Sequence, residues 1–122
     1  MKIARLSTHA LKNVIQGSTE HQFKCVIKFY SNECAFCHNL QKDYHAIAEA
    51  FKDEELYFFA FNTAEEPNLD EVIKINGVPT IAFVDVKKNS SVSILEDPPD
   101  PNDETWYDPE DIMNFVEDSL NG

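Results

Sequence analysis

Apolar and polar positions along this chain alternate with two different periods. The stretch FKCVIKFYS, 23–31, is β-rich and almost continuously apolar, which predicts a central strand covered on both faces. From Ala35 to about Lys52 the period lengthens. Leu40, Tyr44, Ile47, Ala48 and Phe51 recur at spacings of three and four, which predicts a helix with one buried face. LYFFAFN, 56–62, reads as a second buried strand, and KIARL, 2–6, as a short one. Ahead of the first long strand, Ser7 or Thr8 can cap a short helix through Gln16, with Gly17 at its C′ position. NLDEVIKIN, 68–76, reads as another short helix, leading to GVPT at 77–80. TIAFVDV, 80–86, and SVSIL, 91–95, then form an antiparallel hairpin through KKNS. The last helix, PEDIMNFVEDSL, has Asp108 as N-cap, Pro109 at N1, and Glu110 and Asp111 at its positive start. Ile112, Phe115, Val116 and Leu120 make its apolar face.

The predicted order is β-α-β-α-β-α-β-β-α. Helices between the early strands imply right-handed crossovers and a mostly parallel first half, to which the late hairpin adds antiparallel strands. The fold class is therefore α/β, a mixed central sheet flanked by helices on both faces. With 122 residues, no internal repeat and no linker, a single domain over 1–122 is expected, carrying an acidic, proline-rich loop at about 96–108. No apolar run approaches the roughly 20 residues of a membrane span, so no membrane partner is expected. MKIARLSTHALKNVIQG lacks the apolar block of a signal peptide, which points to a cytoplasmic protein. A monomer is expected.

Charge narrows the partners. The net charge of −12 is unevenly placed: residues 1–52 hold seven Lys/Arg and four Asp/Glu, and residues 53–122 hold three and eighteen. The run EDPPDPNDETWYDPED, 96–111, has eight carboxylates, four prolines and no base. Phosphate contacts need clustered Lys and Arg, so nucleic acid is a poor partner. A solubilising surface is the plain reading of the acidic run.

The candidate chemistry lies in NECAFCHNL, 32–40, where Cys34 and Cys37 bracket two residues and His38 follows. This string permits a redox dithiol, half of a zinc site, or covalent haem attachment through C-x-x-C-H. The pair follows a buried strand and opens a helix, whose N-terminal partial charge and free N–H groups favour a thiolate. Cys34, at the edge, is expected to be exposed and acidic, and Cys37, one turn in, shielded; that asymmetry suits disulfide exchange. Haem would need a second axial ligand, and His45 lies too near while Met113 is the other candidate. Zinc would need four ligands, and Cys34, Cys37, His38 and His45 all share one loop and helix, with Cys37 and His38 about 100° apart. No metal and no cofactor are expected. Cys25, in the buried strand, reads as a small core residue.

VIKFYSNECAFCHNLQKDYHAIAEAF resembles the strand, active-site pair and following helix of the thioredoxin superfamily, and INGVPTIAFV resembles its cis-proline loop and next strand. The flanks of the pair look closer to protein disulfide isomerase domains than to bacterial thioredoxins. The resemblance implies a thioredoxin fold and a thiol–disulfide oxidoreductase, with Cys34 attacking and Cys37 resolving. Its partners would be disulfide-containing proteins and a reductase that restores the dithiol. Alternatives are a disulfide isomerase or oxidase of the same fold, or a binding module for a partner enzyme on this scaffold. Pro79 would be cis, and the backbone of Val78 would pair with an extended substrate. Phe36 would be an exposed contact for partner chains or a ring folded onto the protein's own surface.

Four departures from the family pattern matter. Glu33 replaces the usual aromatic residue, and Ala35-Phe36 replaces Gly-Pro or Gly-His. The acidic loop enlarges a connection that borders the family's active site, and Trp106 or Tyr107 could anchor partners there. Lys28 stands where the family has a buried acid that relays protons to the second cysteine. Strand alternation places Val26, Lys28 and Tyr30 on one face, so a buried Lys28 would have a lowered pKa and could serve Cys37 as base or as counter-charge. A Lys28 that snorkels to solvent or pairs with an acid would play no part.

Overall fold

In the computed structural model, which describes residues 3–122, the chain runs β1 (Ala4–Arg5), α1 (Thr8–Gln16), β2 (Phe23–Tyr30), α2 (Ala35–Ala50), β3 (Leu56–Asn62), β4 (Thr80–Val86), β5 (Ser91–Ile94) and α3 (Pro109–Asn121). Lys2, the first residue of the expected KIARL strand, lies outside the described residues. The strands form one sheet in the order β1-β3-β2-β4-β5. β1, β3 and β2 run parallel, while β4 is antiparallel to both β2 and β5. The mixed sheet is the one the element order predicts, with β2 at its centre.

The two faces of the sheet carry two cores. On one, Val26, Phe58, Ile81 and Phe83 pack against Leu40, Tyr44 and Ile47 of α2 and Ile112 and Val116 of α3. On the other, Cys25, Ile27, Phe29, Phe61 and Val84 pack against Leu11 and Val14 of α1. The period of two in β2 thus divides its side chains between the layers, and burying a side chain such as Phe29 is worth about 1.5–3 kcal/mol.

Local rules set the helix ends. Ser7 Oγ accepts the Ala10 N–H at 3.1 Å, and Gly17 closes α1 at φ 75°. A Cβ on Gly17 would strike the carbonyl oxygen of Lys87, so glycine is required there twice over. Asp108 occupies the N-cap position of α3 without capping it. Its carboxylate accepts instead from Asn102 Nδ2 at 2.9 Å, tying the acidic loop to the helix start.

One expected helix is absent. Within 68–76 only Leu69–Glu71 coils, as a single 3-10 turn, and Asn68 makes no capping bond. Val72, Ile73 and Ile75 are β-branched and lose side-chain freedom in a helix. Burial of Leu69 and Ile73 against the α1-side core holds this segment without helical periodicity.

Candidate functional site

β2 ends at Tyr30, and the turn that follows delivers Cys34 to the N-cap position of α2. The Cys34 sulfur accepts the Cys37 N–H at 3.0 Å. A helix start leaves such donors unpaired, and here the first cysteine fills the place that Ser or Asp usually takes. Cys34 and Cys37 are joined as a disulfide with their Cα atoms 5.2 Å apart. Cys34 is half-buried rather than fully exposed, whereas Cys37 is 3% exposed. The asymmetry expected of the pair is present, with less exposure of the outer sulfur. Among the described residues no three His, Cys, Asp or Glu side chains cluster as a metal site.

Lys28 points from β2 beneath α2. It is 6% exposed and belongs to none of the ion pairs among the described residues. Its Nζ lies 5.8 Å from the ring centre of Tyr30 and 5.2 Å from that of Tyr44. Desolvation lowers its pKa from the ordinary lysine value. Little of Lys28 reaches solvent, and among the described residues no carboxylate pairs with it. Lys28 and Cys37 line one cavity of about 280 Å³, together with Arg5, His38, Tyr44 and His45. The Tyr44 hydroxyl donates to Phe59 O at 2.7 Å and Val26 O at 3.2 Å, and burial raises its pKa well above that of a free phenol. Cys25 is fully buried on the opposite face, and desolvation pushes its thiol up to about 12.

On the other side of the pair, the Val78–Pro79 peptide bond is cis. Thr80 Oγ1 donates to Gly77 O at 2.6 Å and steadies the turn. Phe36, Val78 and Pro79 line a second cavity, of about 180 Å³, with Asp97 and Trp106. Phe36 is half-buried, its ring edge-on to Trp106 at a centroid distance of 5.6 Å. Glu33 is exposed, and His38 is exposed too, donating from Nε2 to Asn32 O at 2.8 Å.

The acidic loop reaches this cavity through Trp106, whose Nε1–H donates to Asp97 at 3.2 Å. Trp106 holds a left-handed backbone, φ 68°, fixed by paired backbone bonds with Asn102 at 3.0 Å. Asn39 of α2 donates to Glu104 O at 2.8 Å. That contact escaped sequence reasoning because it spans 65 residues and a lone Asn mid-helix carries no partner signal. Tyr107, expected as a possible surface anchor, is 1% exposed and packs in the α2/α3 core. Of the two aromatic residues, only Trp106 keeps part of its surface exposed.

The sequence model of the family described as thioredoxin matches residues 2–100. Among solved structures, the J-Trx1 fragment of ERdj5 superposes with a TM-score of 0.72 at 17% identity, over 98% of this chain and 52% of that one. Chloroplastic thioredoxin z superposes with a TM-score of 0.69 at 20% identity, over 100% and 97%. Oxidised mitochondrial thioredoxin 3 from Saccharomyces cerevisiae gives 0.68 at 18% identity, over 95% and 94%. The chain spans about half the length of the ERdj5 fragment. No curated protein matches this sequence. Among the described residues no helix is long and apolar enough to cross a membrane.

Proposed function

Because this chain belongs to the thioredoxin family, we propose that it is a thiol–disulfide oxidoreductase that reduces protein disulfides with the Cys34–Cys37 dithiol. The observation that carries this reading is the Cys34 sulfur at the N-cap of α2, accepting the Cys37 N–H, with Cys37 buried behind it. In the reduced protein that position favours the thiolate, through the helix-start charge and a hydrogen bond to the ionised form.

The Cys34 thiolate attacks one sulfur of a target disulfide. A mixed disulfide forms, and the other target sulfur leaves as a thiolate that takes a proton. Cys37 then loses its proton to solvent, its thiolate stabilised by the nearby Lys28 ammonium, and attacks the Cys34 sulfur. The second target sulfur leaves, Cys34 and Cys37 are joined, and two electrons have passed to the target. Lys28 fits this role because it is desolvated, shares a cavity with Cys37 and meets no carboxylate among the described residues. An external reductase restores the dithiol, and a reducing cytoplasm is the setting in which such a cycle runs in this direction.

Val78 and the cis Pro79 offer backbone to an extended substrate segment, in the manner of strand addition. Phe36 and Trp106 form the apolar side of that groove, and Asp97 its acidic side.

The test is reduction of a model protein disulfide. A Cys37→Ser variant should accumulate mixed disulfides, and a Cys34→Ser variant should form none. Lys28→Ala should shift the thiol titration of Cys37; an unchanged profile removes Lys28 from the mechanism. A reduction potential near about −270 mV fits a reductant, while about −180 to −120 mV would reassign the protein as an isomerase or oxidant.

A further inference from the structure

We propose that the cavity behind Cys37 is a binding site for a small oxyanion, a phosphate or a carboxylate. Its lining draws Ile3 and Arg5 from the β1 side of the sheet, Lys28 and Tyr30 from β2, and Cys37, His38, Gln41 and His45 from α2. Four of these side chains are basic and none is a carboxylate, in a chain with 22 Asp and Glu against 10 Lys and Arg. The helix supplies its share because 37, 38, 41 and 45 fall along one side of α2, at spacings near three and four.

Lys28 is the central group. It is more than nine-tenths buried, has no carboxylate or carbonyl partner among the described residues, and lies within reach of two tyrosine rings that line the same cavity. Ring faces return only about 0.5–2 kcal/mol to a cation, which leaves an ammonium under-compensated. The hydroxyl proton of Tyr44 is already committed to Val26 O and Phe59 O, so Tyr44 has no donor left for an anion. An oxyanion against Nζ supplies the missing charge and acceptors.

Arg5 adds a planar fork suited to two oxygens. Its pairing with Glu65 is long, 3.8 Å, between two largely exposed side chains, so a ligand can compete for it. His38 commits its Nε2–H to Asn32 O and adds no further donor in its neutral form. At about 280 Å³ the cavity has room for an oxyanion with several waters, each occupying about 30 Å³.

The site is independent of the reading of the dithiol, because binding can be followed in the oxidised chain with no turnover. Inorganic phosphate and succinate are titrated separately into the oxidised protein at constant ionic strength, with NMR shifts of backbone and imidazole signals as the readout. Saturable shifts confined to Arg5, Lys28, His38, Gln41 and His45 are expected for at least one of the two; which one responds tells phosphate from carboxylate. Lys28→Met keeps the buried stem and should weaken binding about tenfold or more, the worth of one charge-assisted hydrogen bond. Arg5→Gln, at an exposed position, should weaken it about threefold even if the Lys28 variant does not fold. Lys88→Gln, on the exposed hairpin turn, should bind as the unaltered chain does. Non-saturating shifts spread over exposed lysines, no response to either anion, or unchanged binding in Arg5→Gln together with any folded Lys28→Met would overturn the proposal.

Discussion

At the scale of single residues, the two sulfurs and one amine that matter are separated by burial alone. Lys28 is charged in solvent but desolvated in the fold, so its folded pKa lies below its unfolded one. Below the folded value both states carry the proton, and the full cost of burying the ammonium is present. Between the two values only the unfolded chain binds it, so stability rises with pH. Lys28→Met should therefore be more stable than the parent near neutral pH, by about 1–3 kcal/mol. That advantage should shrink as pH climbs towards the ordinary lysine value of about 10.4. Urea midpoints of the two oxidised proteins across this range, in an amine buffer, check both sign and trend. Cys25 gives a second residue-level prediction: with its thiol pushed up to about 12 and no exposure, it should resist alkylation while folded. Mass spectrometry of the reduced native protein after brief treatment at neutral pH should find label on Cys34 and none on Cys25. The face on which Lys28 lies was legible from strand alternation. That no carboxylate among the described residues meets it was not, because the groups around it come from β1, α2 and β3 as well as β2, and no local pattern records them.

At the scale of elements, the cap at Cys34 joins helix stability to reactivity. The same sulfur that would attack a target satisfies an orphan N–H of α2. In the absence of the disulfide, Cys34→Ser keeps a capping oxygen, whereas Cys34→Ala leaves the Cys37 N–H without its acceptor. The Ala variant should be less stable than the Ser variant by about 1 kcal/mol, read from denaturant unfolding of the two. Gly17→Ala should cost more, above about 1 kcal/mol, since it adds a collision with Lys87 O to a left-handed backbone. Both helix ends were readable in advance from Ser7, Gly17 and Pro109, because caps are local. The helix expected at 68–76 failed for the complementary reason. Its apolar residues serve a tertiary surface: Leu69 meets the α1-side core from a single turn, and Ile73 from the chain beyond it.

At the scale of the whole molecule, charge is sorted around the site. The oxyanion cavity is basic, while the groove beside Pro79 is bordered by a loop rich in carboxylates. The loop's composition was plain in the sequence; its anchorage was not, since Trp106 meets Phe36 and Asn39 meets Glu104 across most of the chain. That anchorage also dictates how the loop can be tested. Removing 97–107 would take out Tyr107 and Thr105, which are buried, and would confound specificity with unfolding. Neutralising the exposed acids instead, with Asp97→Asn, Asp100→Asn, Asp103→Asn and Glu104→Gln, leaves the scaffold contacts in place. The Asp97→Asn change retains a side-chain oxygen for the Trp106 N–H, and the Asn39 bond uses the backbone of Glu104. Opposite charges steer encounter and like charges oppose it, in proportion to how little salt screens them. The unaltered protein should therefore reduce a basic disulfide protein faster than an acidic one, by about tenfold or more at low ionic strength. The gap should narrow as salt rises, and the neutralised variant should lose most of it while keeping its reduction potential. Equal changes in rate on both substrates would leave the loop a solvated border with no part in choosing partners.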